Sequence, residues 1–444
     1  MSFARYPTYK DSGVEWLGDV PGHWSAVPIK HLGRLKGGAG FPHDKQGIEG
    51  EELSFHKVNA LAQADTDGCL IQSDNTIDRT TAKELGAFVF PPGSIVFAKV
   101  GAALLLGRIR VLNQDACLDN NMMGLVVCQK EFRVEFVRHA MNLVRFDLIA
   151  NPGAVPSLNE GQIGDFRLPM PPKDEQIQIA AFLDRETAKV DGLVAEQRRL
   201  MALLKEKRQA VISHAVTRGL NPDAPMKPSG IEWLGHVPAH WEIRRVKSVS
   251  TFTTSGPRGW SERVGEEGSL FVQSGDLNER LEVEFSGSKR VQVANDAEAS
   301  RTRLCDGDVV VCITGAKTGN VAICVSVPEA AYIINQHLCL IRPTQKILPV
   351  FLGVLLKCNL GQTYFDFSQY GLKQGLSLED VREAPVLLPS LAEQATIVAY
   401  VAAETAKFDT LTAEAQRAID LLQERRSALI SAAVTGQIDV RQLA

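Results

Sequence analysis

Residues 174–220 read DEQIQIAAFLDRETAKVDGLVAEQRRLMALLKEKRQAVISHAVTRGL and decide the fold of this 444-residue chain. Residues seven positions apart in this stretch are mostly apolar, which is the seam pattern of a coiled coil. A second such stretch follows about 218 residues later. The seam positions are Leu183, Val190, Gln197, Leu204 and Val211 in the first stretch, and Val401, Phe408, Ala415, Leu422 and Leu429 in the second. The pattern predicts two long helices that pair with each other, with Gln197 as a polar residue that fixes their register.

Local signals divide each helical stretch and mark its end. Asp191 and Gly192 predict a break into a short first piece and a long second piece, because glycine is a poor helix former. From Val190 to Val216 the long piece would span about 40 Å at the usual rise per residue. The two stretches close on matching segments, ISHAVTRGL and ISAAVTGQI, in which glycine is predicted to stop the helix.

A second repeated segment indicates that the whole chain is duplicated. Residues 12–24 read SGVEWLGDVPGHW, and residues 229–241 read SGIEWLGHVPAHW. Chance does not reproduce Glu-Trp-Leu-Gly, Val-Pro and His-Trp at one spacing, so the chain is two copies of one unit, head to tail. The segments hold four of the five tryptophans, namely Trp16, Trp24, Trp233 and Trp241.

The repeated tryptophans are predicted to pack against the helices rather than to stack on nucleic-acid bases. Their neighbours are Leu, Gly, Pro and Val, with almost no Arg or Lys, unlike a stacking groove. They would pin each globular domain to the long helices. His23 and His240, which lie in the same segments, are interpreted as structural rather than catalytic.

Each tryptophan segment is followed by roughly 140 residues with short β-branched runs separated by Gly, Pro, Asn and Asp. This pattern predicts a mixed α/β domain in each copy. The strand candidates are residues 94–100, 104–112 and 122–128 in the first copy, and 308–314, 320–327 and 334–343 in the second. A helix candidate follows each set, FVRHAMNLVRF and PVFLGVLLKC.

Each globular region ends in a segment that contains prolines, RLPMPPKDEQ at residues 167–176 and PVLLPSLAEQ at residues 385–394. In the second copy Ser390 and Glu393 have the spacing of a capping box, in which each side chain accepts a hydrogen bond from the other residue's backbone amide. The second long helix is therefore predicted to begin there.

Composition bounds the class of protein. The chain is 45% hydrophobic, and no run of eighteen apolar residues or signal-peptide core is present, so we expect a cytoplasmic protein that does not bind a membrane. The cysteines have no zinc-site spacing, and Cys312, Cys324 and Cys339 lie in apolar runs typical of buried thiols. A net charge of -4 counts modestly against nucleic acid, although a sum over the chain does not reveal patches.

The sequence does not match the spacing of any catalytic motif. VVVCITGAKTGN is similar to a phosphate-binding P-loop, but Ala316 and Val311 stand where that loop requires glycine. The segment GGAGFPHD has histidine where the dinucleotide fingerprint has its third glycine. No nucleophile and base recur together in both copies. The sequence therefore predicts a protein without an active site, metal or cofactor of its own.

The duplicated tryptophan segment, globular region, proline-marked exit and heptad helix together resemble the specificity subunit of type I restriction-modification enzymes. The most specific parts are PPKDEQIQIAAFL with LLKEKRQAVISHAVTRG, and LPSLAEQATIVAYV with LLQERRSALISAAVTG, which resemble the family's two conserved regions. The resemblance covers nearly the entire chain.

The resemblance implies an α+β fold with two mixed α/β target-recognition domains separated by two long helices in an antiparallel coiled coil. The expected divisions are residues 1–170 for the first domain, 171–220 for the central helical spacer, 221–389 for the second domain and 390–444 for the C-terminal spacer. The implied partners are double-stranded DNA, two modification methyltransferase subunits and restriction/translocase subunits. S-adenosylmethionine, ATP and Mg are expected on those partners.

The residues lead to a similar geometry. Antiparallel pairing of two seams of equal length places the domains at opposite ends about a pseudo-two-fold axis, which suits two half-sites on duplex DNA. A spacing of about 40 Å corresponds to roughly twelve base pairs. The two globular regions differ far more than the helices do, so the target is predicted to be bipartite and asymmetric.

Candidate DNA contacts are polar residues at glycine-marked turns or within apolar runs, since base edges are read by Arg, Lys, Asn and Gln. In the second domain they are Arg258, Gln273, Ser274, Thr314, Lys317, Thr318, Asn335, Gln336, Lys373 and Gln374. In the first domain they are Lys57, Asn59, Lys99, Arg108, Asn120, Asn121 and Ser157. Ordinary hairpin turns and solvated edges are the competing interpretation.

Two other functions fit the same sequence. The chain could be the recognition part of an enzyme with its own modification chemistry, which the absence of a methyltransferase motif disfavours. It could also be a protein-binding scaffold, which the acidic net charge permits.

Overall fold

The computed structural model describes residues 3–63, 68–70, 73–293, 297–325, 332–369 and 375–441. The chain divides into two compact units. The first unit consists of Met1–Gln197 and Gln416–Ala444, and the second consists of Arg198–Ala415. Each unit therefore holds one globular region and part of both long helices. The sequence-based divisions, which set the helices apart, stay a prediction.

The first unit is built on short strands with short helices between them. Its strands are β1 (Tyr9–Asp11), β2 (Asp19–Pro21), β3 (Ser25–Pro28), β4 (Gly33–Gly37), β5 (Leu53–His56), β6 (Thr76–Ile77), β7 (Ile95–Ala98), β8 (Arg110–Val111), β9 (Ala116–Leu118), β10 (Met122–Val127) and β11 (Arg167–Met170). Its helices are α1 (Ile29–Leu32), α2 (Arg79–Glu84), α3 (Ala102–Leu105), α4 (Val134–Ala140), α5 (Phe146–Ile149) and α6 (Glu160–Gly164), with 3-10 helices at His43–Lys45, Val58–Ala62 and Met141–Leu143. The first long helix, α7 (Lys173–Arg218), begins in this unit.

The second unit repeats this plan. Its strands are β12 (Met226–Pro228), β13 (His236–Pro238), β14 (Glu242–Arg245), β15 (Ser250–Ser255), β16 (Val264–Gly265), β17 (Ser269–Val272), β18 (Lys289–Val291), β19 (Val309–Cys312), β20 (Val321–Ile323), β21 (Tyr332–Ile334), β22 (Leu338–Pro343) and β23 (Pro385–Leu388). Its helices are α8 (Val246–Val249), α9 (Ala297–Thr302), α10 (Pro349–Lys357), α11 (Asn359–Ser368), α12 (Leu378–Glu383) and the beginning of α13 (Leu391–Val434), with 3-10 helices at Trp260–Arg263 and Ser274–Asp276.

The two units share the order of their strands, which confirms the duplication. An antiparallel sheet has the order β4-β10-β7-β8 in the first unit and β15-β22-β19-β20 in the second. A second sheet has the order β6-β5-β9 in the first unit and β16-β18-β17-β21 in the second, where β16 is an additional strand at the end of the sheet. In it β5 pairs in parallel with β9, as β17 does with β21. The pair β5 and β9 in the first unit is therefore equivalent to the pair β17 and β21 in the second.

The long helices run antiparallel within each unit. In the first unit Leu183 of α7 and Val434 of α13 belong to one buried core, and the Asp191 carboxylate accepts hydrogen bonds from Arg426 at 2.9 and 3.2 Å. In the second unit Val216 and Val401 share a core, and Arg208 lies 3.7 Å from the Asp409 carboxylate. Of the predicted seam residues, Leu183, Val190, Leu204, Val401, Phe408 and Ala415 are buried, and Gln197, Val211, Leu422 and Leu429 are half-buried.

The predicted break at Asp191 and Gly192 is wrong, because α7 is one helix from Lys173 to Arg218. A glycine costs a helix about 1 kcal/mol relative to alanine. Burial of Val190 and Val194 on either side opposes that cost, since fully burying one such side chain contributes about 1.5–3 kcal/mol. Tertiary packing therefore decides the continuity of the helix.

Three of the six strand candidates are confirmed, and three need correction. Residues 104–112 form the end of α3 and a turn before β8, because Gly101 and Gly107 adopt positive φ angles of 78° and 58°. Within residues 334–343 a turn at 335–337 separates β21 from β22. Within residues 320–327 only β20 is a strand, and residues 326 and 327 lie outside the described residues. Helix candidates α4 and α10 are confirmed.

The packing predicted for the tryptophans is confirmed for two of the four. Trp24 and Trp241 are fully buried. A Cβ added to Gly436 would lie 3.3 Å from the Trp24 ring, and one added to Gly219 would lie 3.3 Å from the Trp241 ring. Both glycines have a positive φ and follow the end of a long helix, as predicted. Each buried tryptophan therefore lies against a helix end.

Trp16 and Trp233 correct the prediction, because they stay 44% and 42% exposed. Each ring lies against one phenylalanine, with centroids 4.9 Å apart for Trp16 and Phe166 and 5.4 Å apart for Trp233 and Phe367. The reason is local: Trp16 and Trp233 belong to surface turns that precede β2 and β13.

Two glutamates tie the tryptophan segments to the first turns of the long helices. In the first unit Glu175 accepts a hydrogen bond from the Tyr6 hydroxyl and contacts His23 Nε2 at 2.7 Å. Burial and the Glu175 carboxylate raise the pKa of Tyr6, so its hydroxyl keeps the proton that it donates. In the second unit Glu393 lies 2.9 Å from His240 Nε2 and accepts from Trp241 Nε1 at 3.0 Å.

The capping box is therefore half correct. Ser390 Oγ accepts from the Glu393 amide at 3.3 Å, as predicted. The Glu393 carboxylate instead binds His240 and Trp241, because those side chains from the tryptophan segment reach it.

Two predictions from composition concern burial. Cys312, Cys324 and Cys339 are buried, as predicted, and burial raises the pKa of each thiol. Across the described part of the chain, no helix combines the length and apolarity that crossing a bilayer requires.

Candidate nucleic-acid interface

In the first unit, backbone hydrogen bonds gather the ends of three strands at one place. The Asp119 amide donates to the carbonyl of His56, which ends β5, over 2.9 Å. The amide of Lys99, directly after β7, donates to the Asn121 carbonyl over 2.8 Å. The Asp119 carboxylate accepts from the Asn121 amide at 2.8 Å and so forms the turn between β9 and β10.

Two further segments complete this surface. The Leu158 amide donates to the Lys99 carbonyl over 2.8 Å, which places Ser157 beside Val100. Gly38 passes so close to the turn that a Cβ there would lie 2.0 Å from the Asp119 carbonyl oxygen. We define the first polar edge as Lys57, Lys99, residues 119–121 and Ser157.

The second unit builds the same surface with the same bonds. The Asn335 amide donates to the Val272 carbonyl over 3.0 Å, and the Ile313 amide donates to the His337 carbonyl over 2.8 Å. Asn335 Oδ1 accepts from the His337 amide at 3.1 Å, so Asn335 forms the turn as Asp119 does in the first unit. We define the second polar edge as Gln273, Thr314, residues 335–337 and Gly375, which bridges to Thr314.

Side chains on the first polar edge include hydrogen-bond donors, two of them positively charged. Lys57 Nζ lies 4.1 Å from the centre of the Phe41 ring. Lys99 Nζ lies beside Gly37, whose amide donates to the Glu160 carboxylate over 3.0 Å. Asn120 is exposed at the tip of the turn. The edge thus presents an amide and two ammonium groups, which are donors suited to bases and phosphates.

Side chains on the second polar edge contact one another. Thr314 Oγ1 lies 2.5 Å from His337 Nδ1, and Gln336 Nε2 lies 3.3 Å from His337 Nε2. Burial raises the pKa of the nearby Asp276 carboxyl, an effect that the Lys317 ammonium opposes. Lys317 therefore acts on the charge of a carboxyl group beside this edge.

The structure brings most of the predicted contact residues together. The first polar edge gathers Lys57, Lys99, Asn120, Asn121 and Ser157, and exposed Asn59 lies in the 3-10 helix that follows Lys57. The second gathers Gln273, Thr314, Asn335 and Gln336, with Ser274 directly after Gln273, and Lys317 and Thr318 in the turn after Thr314. Whether any of these residues contacts DNA stays a prediction.

Four candidates lie elsewhere or are not described. Arg108 lies near Arg110, where burial and the charges of Arg108, Arg138 and Arg426 lower the Arg110 pKa. Exposed Arg258 comes two residues after Gly256, which packs on the turn at Asn335. Lys373 and Gln374 fall outside the described residues.

The sequence-based choice missed His337. It is exposed and contacts both Thr314 and Gln336. His337 occupies the place in its turn that Asn121 occupies in the first unit. The amides of the two residues donate to the side chains of Asn335 and Asp119, and their carbonyls accept from the residue that follows β19 or β7. Aligning the two copies residue by residue would have identified it.

His56 predicts how the first unit responds to pH. Burial lowers its pKa from 6.5 to about 4, and its Nδ1 has no hydrogen-bond partner among the described residues. The unfolded chain therefore binds a proton between about pH 6.5 and 4 that the folded unit does not bind. Stability is expected to fall in that window as pH falls, by up to about 1.4 kcal/mol per pH unit.

The substitution His56→Val tests this, since Val272 holds the equivalent place in the second unit. Urea unfolding of the full chain should show a shallower loss of stability between pH 6.5 and 4. Exposed His43→Val is the control and should leave the slope unchanged. An equal slope in wild type and His56→Val would contradict the assignment.

Within the ranges that the structure describes, no group of three His, Cys, Asp or Glu side chains is placed to hold a metal ion.

Comparisons with known proteins find similarity in both units of the chain. A family model described as the type I restriction modification DNA specificity domain matches residues 21–197 and 238–419. The specificity subunit of the type I restriction enzyme EcoBI of Escherichia coli is 26% identical over 80% of this chain and 75% of its own length. The EcoKI specificity subunit of Escherichia coli K12 is 23% identical over 61% of this chain and 57% of its own length.

A solved structure supports the fold alone. It comes from work on complex assembly and conformational transition of the type I R-M system. Its TM-score is 0.67 at 16% identity, over 94% of this chain and 98% of that chain.

Proposed function

The chain belongs to the type I restriction-modification DNA specificity family, and we propose that it reads a split, asymmetric DNA target with one half-site at each polar edge. One observation carries this proposal. Both units build the edge with equivalent backbone bonds but fill it with different side chains. Asp119, Asn120 and Asn121 in one unit stand where Asn335, Gln336 and His337 stand in the other.

A shared frame with different side chains suits the reading of two different sequences. Asn, Gln and Lys pair with base edges in the major groove, where each base pair has its own pattern of donors and acceptors. The lysines near each edge, Lys57, Lys99 and Lys317, suit contacts to phosphate, which position a protein on DNA without specifying sequence.

The two long helices would set the length of the gap between the half-sites. The unbroken α7 supports this role, because a continuous helix is a stiffer spacer than a kinked one. The helical surface would also hold the partner subunits, which we propose to be two modification methyltransferases and the restriction/translocase subunits. The relatives are named as subunits of type I restriction enzymes, which supports an assembly of this kind.

The chemistry of modification and cleavage would belong to those partners in the cytoplasm. We propose that S-adenosylmethionine binds the methyltransferase subunits, and that ATP and Mg bind the translocase. This chain would contribute recognition without a cofactor of its own, in keeping with the lack of a catalytic motif in its sequence.

The test is selection from random double-stranded DNA by the full chain assembled with its methyltransferase partner. We expect enrichment of two short, different motifs at a fixed separation. A continuous palindrome would contradict the proposal. Failure to bind DNA in low salt would favour a protein-binding scaffold, and transfer of label from S-adenosylmethionine by the chain alone would favour an enzyme with its own chemistry.

Lengthening both helices tests the spacer. Inserting seven residues at matching places in α7 and α13 adds about 10 Å of helix and keeps the seam on the same face. The gap in the selected DNA should lengthen by about three base pairs, with both half-site motifs unchanged. Altered half-sites would mean that the helices take part in base recognition.

A further inference from the structure

The turn at residues 335–337 contains a side-chain network that selects one tautomer of a histidine. Gln336 Nε2 is a hydrogen-bond donor only, so His337 Nε2, 3.3 Å away, accepts. The ring proton is therefore on Nδ1, which donates to Thr314 Oγ1. The chain of contacts runs from Thr314 through the histidine ring to the Gln336 amide.

The other end of the Gln336 amide is unsatisfied. Its Oε1 is buried and has no hydrogen-bond partner among the described residues. A buried carbonyl oxygen without a partner destabilises the conformation that holds it, so Gln336 gains from a conformation in which Oε1 meets a donor. The residue itself is half-buried, follows β21 at the polar edge and lies next to the exposed His337.

We propose that Gln336 reads an adenine in the half-site of the second unit and that His337 and Thr314 position it. A glutamine amide and adenine form two matched hydrogen bonds in the major groove. Gln336 Oε1 accepts from the adenine N6 amino group, and Gln336 Nε2 donates to adenine N7. Both amide atoms then have partners. The proposal rests on the proposed function and adds to it the base and the residue that reads it.

The neighbouring residues of the turn are committed to other contacts. Asn335 is 4% exposed, and its Oδ1 accepts from the His337 amide, so it shapes the turn. The His337 ring lies between Thr314 and Gln336, which limits the positions that the amide can take. Asn120 stands at the place of Gln336 in the first unit, with Asn121 in place of the histidine.

The experiment selects random DNA with the full assembly carrying wild-type chain, Gln336→Ala or Gln292→Ala. Gln292 is an exposed glutamine of the same unit, and it follows Val291, which pairs with Ser269 at the far end of β17 from the edge. Gln336→Ala should reduce the preference for adenine at one position of one half-site by roughly tenfold or more. Gln292→Ala should keep both motifs.

The motif of the other half-site serves as an internal control for folding, because it should be the same for all three proteins. An unchanged motif in Gln336→Ala, changes in both half-sites, or a lost preference for a base other than adenine would overturn the inference. If the wild-type assembly enriches no split motif, the proposed function itself fails, which is a separate outcome.

Thr314 variants test the positioning role. Thr314→Val removes the oxygen that accepts from His337 Nδ1 and should weaken the same base preference, while Thr314→Ser should restore it. A role in packing alone predicts the reverse order, because valine has the shape of threonine and serine lacks its methyl group. Equal motifs for wild type and Thr314→Val would show that the histidine network does not act on Gln336.

Discussion

Trp24→Ala and Trp241→Ala are each expected to lower the stability of their own unit by about 3–5 kcal/mol. Both side chains are fully buried, and each packs its tryptophan segment against the end of a long helix. Removing either ring leaves a cavity that the rigid helix end does not fill. Urea unfolding of the full chain, with hydrogen exchange to assign the loss to one unit, measures the effect.

The exposed tryptophans are the matched controls. Trp16→Ala and Trp233→Ala remove the same side chain from sites that are 44% and 42% exposed, so each should cost much less. A loss for Trp16→Ala as large as that for Trp24→Ala would contradict the role assigned to the buried pair.

Phenylalanine separates packing from hydrogen bonding. Trp241 Nε1 donates to the Glu393 carboxylate, whereas Trp24 Nε1 has no partner among the described residues, because Tyr6 and His23 take the Glu175 oxygens. Trp241→Phe therefore loses a bond to a charged group, worth about 1.5–3 kcal/mol, that Trp24→Phe does not lose. Trp241→Phe should be the less stable of the two.

These contacts show which parts of the fold sequence patterns determine. The duplication, the helical seam and the glycine stops follow from repeats and spacing, which depend on local rules of helix and turn formation. Gly192 shows the limit of such rules, because its intrinsic helix penalty is overridden by the burial of residues on either side. The path of a chain through a core is a tertiary property.

The polar edges could be predicted only in part for a related reason. The sequence predicts contacts at Asn335 and Gln336 because they are amides within an apolar run, and the structure places them at a turn rather than within a strand. The parallel pairing of β5 with β9 joins segments that are far apart in the sequence, and it helps to bring Lys57, Lys99 and Asn120 to one surface. His337 was missed because its importance comes from contacts to Thr314 and Gln336.

Gly38→Ala and Gly256→Ala are each expected to weaken recognition of one half-site strongly. A Cβ on Gly38 would lie 2.0 Å from the Asp119 carbonyl oxygen, and one on Gly256 would lie 2.1 Å from the Ile334 carbonyl oxygen. Both neighbours are backbone atoms, so the turn itself must move. Overpacking of this kind lowers the stability of the folded unit by about 1–3 kcal/mol. Each base contact that is lost lowers the discrimination between bases by about 1–3 kcal/mol.

The result expected from selection of random DNA is therefore one-sided. Gly38→Ala should weaken the preference for one half-site roughly a hundredfold and retain the other, and Gly256→Ala should do the opposite. Gly40→Ala and Gly275→Ala are the controls, because a Cβ at either position meets nothing within 4 Å. Both should select the wild-type motif.

The retained half-site distinguishes a displaced turn from an unfolded protein, since an unfolded chain would lose both. If Gly38→Ala and Gly256→Ala weakened the same half-site, the two edges would not read separate sequences. If both variants kept the complete motif while folding normally, base recognition would lie outside the turns at residues 119–121 and 335–337. Either result would reject the polar edges as the reading surfaces, whereas a one-sided loss requires that each unit reads its own half of the target.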